Sequence, residues 1–258
     1  IMVVLLVINL VRTFIKYYKF QIVKNHDSLL ISRGLLATKN SLLKPNKVQS
    51  TSYSQNFFQK KMGIYNITMK QAHNGKAQNE KELNDNNLEI PGCSLNERNK
   101  ILELILGQLP QPTQYFKPDV RFLNLPLFFG VIFPVGIYVC FCFIFETSRS
   151  FYPLAIVYVL ISTLIIYVSY RRHTLMVDNN FIIKKSGFWD VSHEIIFPHK
   201  IQSISTFQYP WHKSIDIGHV SLHTAAGTIN YKFGNYTQIK KMVNYWLYEV
   251  EKNNTQWI

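Results

Sequence analysis

Charge is what the middle of this 258-residue chain lacks. From Phe122 to Phe145, and again from Phe151 to Tyr170, there is no Asp, Glu, Lys, Arg or His. Each run has about the 20 residues needed to cross a hydrocarbon core as a helix. The break between them, ETSRS, is polar enough to turn outside lipid. A buried hairpin of a soluble protein would need a polar stripe toward water, and none is present. Residues 122–170 are therefore expected to form a transmembrane hairpin. Pro126 and Pro134 fit this reading, because neighbours in a membrane re-satisfy the carbonyls that proline frees. The missing ionisable groups also argue against an ion or proton pathway. A transporter or channel component, with the hairpin as its pore element, is the alternative reading.

Acidic residues and cysteines are scarce as well. Fifteen Asp plus Glu stand against 28 Lys plus Arg, a net charge of +13. This excess favours anionic surfaces, and in a membrane protein it matches the retention of cations on the inner side. Three cysteines, two of them (Cys140 and Cys142) inside the hairpin, exclude a disulfide framework. Cys93 stands alone, which suits a reducing compartment. Catalytic signatures are missing: GxSxG, GxxxxGK[ST] and GxGxxG do not occur. His219 and His223 have zinc-helix spacing, but HVSLHTA reads as a strand, where they would lie about 13 Å apart. No catalytic, cofactor-binding or metal-ligating residue is expected, and the chain is read as a non-enzyme.

Residues 1–14, rich in Ile, Val and Leu, are too few to span a bilayer. They read either as the end of a truncated transmembrane helix or as a short anchor lying in the interface. Basic residues follow this segment (Arg12, Lys16, Lys19), precede the hairpin (Lys117, Arg121) and follow it (Arg171, Arg172), whereas the hairpin loop has Arg149 offset by Glu146. Both polar regions are thus expected in the cytoplasm, in a multi-pass protein of the inner membrane.

Region 17–115 opens with strand-like runs (18–23, 28–34, 41–44, 47–53 and 64–71) and contains a polar, turn-rich insertion, 73–87. A last short strand precedes a helix of about three turns, with Ser94 and Glu97 as its capping box and Gly107 as its C-cap. Gln108 to Pro118 reads as a proline-rich lead into the hairpin. After the hairpin, in 171–254, the order returns: a strand pair turning at Asp178-Asn179-Asn180, four further strands, and a helix from about Asn235. Its apolar positions Ile239, Met242, Val243, Trp246 and Val250 share one face.

The two regions are copies. Shifted by 153 residues, 34–64 lies ungapped on 187–217: Gly34 meets Gly187, Pro45 meets Pro198, Gln49-Ser50 meets Gln202-Ser203, and Gln55 meets Gln208. The register then shifts by about eleven residues, with Pro91-Gly92 placed on Phe233-Gly234. Strands that alternate inward and outward, closed by a half-apolar helix, suggest a small barrel or curled sheet plugged by that helix.

Gly34…Pro45-Asn46-Lys47-Val48-Gln49-Ser50…Gln55 and Gly187…Pro198-His199-Lys200-Ile201-Gln202-Ser203…Gln208, flanked by membrane helices, resemble the bacterial pleckstrin-homology-like membrane family. The resemblance implies a membrane-anchored α+β protein. Two small pleckstrin-homology-like β-barrel modules, each capped by a C-terminal helix, would be joined by the transmembrane hairpin, as the last two modules of a longer protein. It also implies a cell-envelope role, with some members tied to tolerance of antimicrobial peptides. The expected partners are membrane lipid, anionic headgroups, and a protein partner or second copy, and not nucleic acid. Lys47, Gln49, Gln55, Lys60, Lys200, Gln202, Gln208 and Lys213 form the candidate binding surface. The competing reading makes the glutamines backbone-bonding residues that maintain the fold and the lysines merely solvated.

Overall fold

The computed structural model describes residues 2–25, 28–71 and 87–252. The insertion expected at 73–87 lies outside them, apart from Asn87. After a leading helix, α1 (Met2–Tyr17), come β1 (Gln21–Asn25), β2 (Ser28–Arg33), β3 (Lys39–Leu43), β4 (Val48–Gln55), a short α2 (Phe57–Met62), β5 (Ile64–Gln71), β6 (Asn87–Ser94) and α3 (Leu95–Leu106). A short β7 (Gln114–Phe116) leads to two long apolar helices, α4 (Val120–Ile144) and α5 (Ser148–Arg172). The second copy follows as β8 (Thr174–Val177), β9 (Ile182–Ser186), β10 (Val191–Ile196), β11 (Ile201–Phe207), β12 (Ile217–Thr224), β13 (Gly227–Asn235) and α6 (Tyr236–Lys252).

The caps follow the side chains. Ser94 and Glu97 exchange bonds at the start of α3: the Ser94 N–H donates to the Glu97 carboxylate at 2.8 Å, and Ser94 Oγ accepts from the Glu97 N–H at 3.4 Å. Gly107 closes that helix by donating to the Glu103 carbonyl. Asn56 and Gln59 form the same box on α2, a helix the sequence reading passed over because its six residues carry no buried face. Strand β7 lies in the stretch expected to be a proline-rich lead, and it pairs with β8.

Neither module closes into a barrel among the described residues, which corrects the barrel expectation. Strands β1-β2-β3 form one three-stranded sheet and β11-β12-β13 another. The other seven form a single sheet in the order β6-β5-β4-β10-β9-β8-β7. The reason is one pairing. Strand β4 runs antiparallel to β10 of the other module, with Gln55 opposite Val191, Tyr53 opposite His193 and Ser50 opposite Ile196. Its remaining edge is taken by β5, so no edge is left to close a barrel on β3.

Strands alternate side chains between two faces, and both faces of β8-β9-β10 are covered. Leu175, Val177, Ile182 and Ile196 join the core of their own module with Ile201, Val220, Leu222, Tyr231, Ile239 and Trp246. Met176, Ile183 and Ile195 enter the core of the first module with Leu29, Ile31, Leu43, Ile67, Met69, Leu102 and Ile105. This sheet is therefore a wall shared by two cores, and its short apolar runs, 175–177, 182–183 and 195–196, are buried on both faces, as a two-sided position requires.

Two backbone constraints repeat. Gly34 and Gly187 both have φ above +110°. A Cβ there would fall 2.2 Å from the Ala37 carbonyl oxygen and 1.9 Å from that of Asp190, so only glycine fits. Gly92 and Phe233, at φ 75° and 61°, both occupy bulges before the closing helix. Ser94 and Asn235 then both pair with the first residue of the middle strand, Ile64 and Ile217. The register shift is thus twelve rather than eleven, with Gly92 on Phe233.

In the hairpin, Pro134 deprives the Gly130 carbonyl of its helical donor, and a π-helical turn spans Phe128–Ile132. The Tyr158 hydroxyl on α5 donates to that carbonyl at 2.7 Å, the re-satisfaction the sequence reading called for. The two helices remain almost wholly exposed within the chain.

Because Ile195 is 1% exposed and sits on the wall's first-module face, Ile195→Ala is expected to cost about 2–5 kcal/mol. Hydrogen exchange should quicken in β4 and β5 as well as in β9 and β10. Loss of protection confined to the second module would contradict a shared wall.

Candidate functional site

The strand turns nearest the apolar helices are held to the helix ends by hydrogen bonds. Gly34 and Leu35 donate backbone N–H groups to the carbonyls of Tyr18 and Ile15, at 3.0 and 3.1 Å. In the second copy the Arg172 guanidinium at the end of α5 donates to the Phe188 carbonyl. The start of α4 is fixed to the second module too: the Asp119 N–H donates to the Phe233 carbonyl at 2.7 Å, and the Phe122 ring lies 5.0 Å from His173 and 5.9 Å from Phe233. The end of each module that carries these contacts therefore faces an apolar helix, α1 in the first and the hairpin in the second.

Large apolar side chains stand exposed at that end. Trp189, on the turn held by Arg172, lies 6.2 Å from Phe57 and 6.0 Å from Phe58 of α2. Trp211 stacks on Tyr209 at 4.9 Å, and Tyr209 packs through His219 onto Phe233. Leu36 is 83% and Trp211 68% exposed. Lys60, Lys61 and Lys213 sit on the same segments, with Arg171 and Arg172 at the end of α5. The repeat places Phe58 on Trp211, three residues after each Gln, but the sequence reading took the pair as matched apolar positions and left it out of the candidate surface.

The eight candidate residues are spread over both modules. Gln55 and Gln208 donate to the carbonyls of Ile64 and Ile217, at 2.9 and 3.1 Å. Each ties the end of its strand to the start of the next, as the fold-maintaining reading holds. Gln49 is buried in the β4–β10 joint, whereas its counterpart Gln202 is exposed on β11. Lys200 donates to the Asn46 carbonyl at 2.7 Å, which brings its turn against that of Lys47, and burial lowers its pKa. Lys47, Lys60 and Lys213 are exposed. The histidines serve the fold: His219 Nδ1 accepts from the Phe233 N–H at 3.2 Å, and His223 bridges Thr228 and Ser205. Among the described residues no group of three His, Cys, Asp or Glu could hold a metal. Cys93 is buried, and its thiol is pushed up to about 11, chiefly by desolvation, so it is a poor nucleophile.

The bacterial PH domain family model matches residues 1–109 and 122–250. The chain belongs to the bacterial PH domain family. The first match takes in α1 with the six strands that follow it, and the second takes in nearly all of the hairpin with its six strands, so each PH match extends into an apolar helical segment. No curated protein matches the chain.

A titratable group lies in the joint between the two PH modules. His193 stacks on Tyr53 at 4.5 Å, and the Arg98 guanidinium covers the other rings, 4.8 Å from Tyr53 and 4.3 Å from Tyr65. Burial, with Lys185 and Arg98 nearby, lowers the His193 pKa to about 4. His173 is likewise held at about 4 by burial, with Lys184 and Lys232. Between pH 6.5 and 4 both are neutral when folded and protonated when unfolded, so stability falls as pH drops through that window. Unfolding midpoints in detergent should decline from pH 6.5 to 4, and less steeply in His193→Phe, which keeps a ring without the titration. An unchanged slope in that variant would remove His193 as a cause.

Proposed function

We propose that the chain is a non-enzymatic, multi-pass inner-membrane protein whose two PH modules lie against the cytoplasmic headgroup layer and bind lipid or protein there. The observation that carries this reading is the exposed aromatic and basic rim at the helix-facing end of both modules. Tryptophan and tyrosine favour the boundary between lipid and water, and each lysine near an anionic leaflet adds about 1 kcal/mol. Lys60, Lys61, Lys213, Arg171 and Arg172 supply that charge beside Phe57, Phe58, Trp189 and Trp211. Two helices long and apolar enough to cross a membrane, and hardly buried among the described residues, support the anchoring. Held there, the modules meet lipid or a partner at raised effective concentration. A cell-envelope role in tolerance of antimicrobial peptides is taken from the family resemblance.

The test is fluorescence quenching of the reconstituted full chain by lipids carrying a spin label at the headgroup. Trp189→Phe and Trp211→Phe should each remove part of the quenched signal. Lys60, Lys61 and Lys213 changed together to Gln should reduce quenching in phosphatidylglycerol vesicles and leave phosphatidylcholine vesicles little affected. Quenching of both tryptophans by aqueous acrylamide, with none by headgroup label, would refute the reading.

A further inference from the structure

The joint inside the chain leaves one copy of each of its two halves unused. By the repeat, β10 corresponds to β3 and β4 corresponds to β11, both at a shift of 153 residues. Strands β10 and β4 are paired with each other. Strands β3 and β11 each stand at the edge of a three-stranded sheet, with no second strand partner among the described residues.

The side chains beside these edges carry the same asymmetry. Met176, Ile183 and Ile195 cover the face of β8-β9-β10 that the first module buries. Their counterparts Val23, Leu30 and Leu42 form the outer face of β1-β2-β3 and are exposed, Leu42 at 53% against 1% for Ile195. On the other half, Gln49, Ser50 and Thr51 are buried by β10, whereas Gln202 and Ser203 are exposed and Ile204 is only partly buried. Aligned from their caps, Leu106 of α3 matches Leu247 of α6; Leu106 is 7% exposed and Leu247 44%. The ring contact between Phe58 and Trp189 across the joint has Trp211 and Leu36 as its unmatched counterparts. Nearly every residue that the joint buries has a repeat partner left open at one end of the chain or the other.

We propose that β3 of one chain pairs antiparallel with β11 of a second copy, repeating between chains the β4–β10 joint. The register carries over: Asn40 faces Thr206, Ser41 faces Ser205, Leu42 faces Ile204 and Leu43 faces Ser203. No like charges meet, and Leu36 comes to Trp211. Because the two surfaces differ, the association is head-to-tail and generates a ring or an open filament. It also settles two strand edges left open among the described residues, which proteins otherwise guard. The association goes beyond the headgroup reading and does not depend on it.

Oxidative cross-linking in membranes tests it, with Cys140 and Cys142 replaced by Ser. Ser41→Cys chains mixed with Ser205→Cys chains should give a covalent dimer, and neither alone should. Ser41→Cys with Ser203→Cys, two positions out of register and about 7–8 Å apart, should give little. Leu42→Lys, exposed in the single chain, should lower the dimer yield about tenfold or more, because its charge would be buried on pairing. A chain that stays monomeric without Ser41–Ser205 cross-links overturns the proposal. So does dimerisation of Ser41→Cys chains with themselves, or capture of either edge by a different protein. Lipid quenching reports separately, so either proposal can fail alone.

Discussion

The β4–β10 ladder is the interaction on which the rest depends. It takes one edge from each module and turns two three-stranded halves, with β7 added, into a seven-stranded sheet. The β8-β9-β10 sheet then carries a core on each face: Leu175, Ile182 and Ile196 face one, Met176, Ile183 and Ile195 the other. Neither core is complete without it, so the modules are parts of one body, not beads on a hairpin. That fixes the relative placement of their helix-facing ends, where Trp189 of one module meets Phe57 and Phe58 of the other.

Burial at matched positions follows from the pairing and not from residue type. Gln49 and Gln202 share identity and strand position, yet one is 3% exposed and the other open to solvent, because only β4 has a neighbour on that side. Gln55 and Gln208 behave alike, since each bonds the first carbonyl of the following strand within its own module. Local constraints repeat faithfully; constraints set between modules appear once and leave their counterparts exposed.

Much of the fold was legible. The Ser94–Glu97 capping box, the strand pair turning at Asp178-Asn179-Asn180 and the two long apolar helices all follow from local chemistry, as does the glycine shared by Gly34 and Gly187. The barrel expectation failed because strand periodicity states which face is buried but not which strand covers an edge. The eight candidate residues were chosen for their recurrence, and for Gln55 and Gln208 that recurrence marks a bond within each module; the exposed aromatics recur only as a class, Phe58 in one copy and Trp211 in the other.

The sequence by itself determined the duplication, the closing helices, the apolar runs without charge, and the matched glycines, since each rests on residues close together in the chain or on a direct match between copies. Only the tertiary structure decided that β4 crosses to β10, because backbone hydrogen bonding is nearly indifferent to side-chain identity and many edges were available. That choice closed one joint within the chain and left β3 and β11 as edges among the described residues.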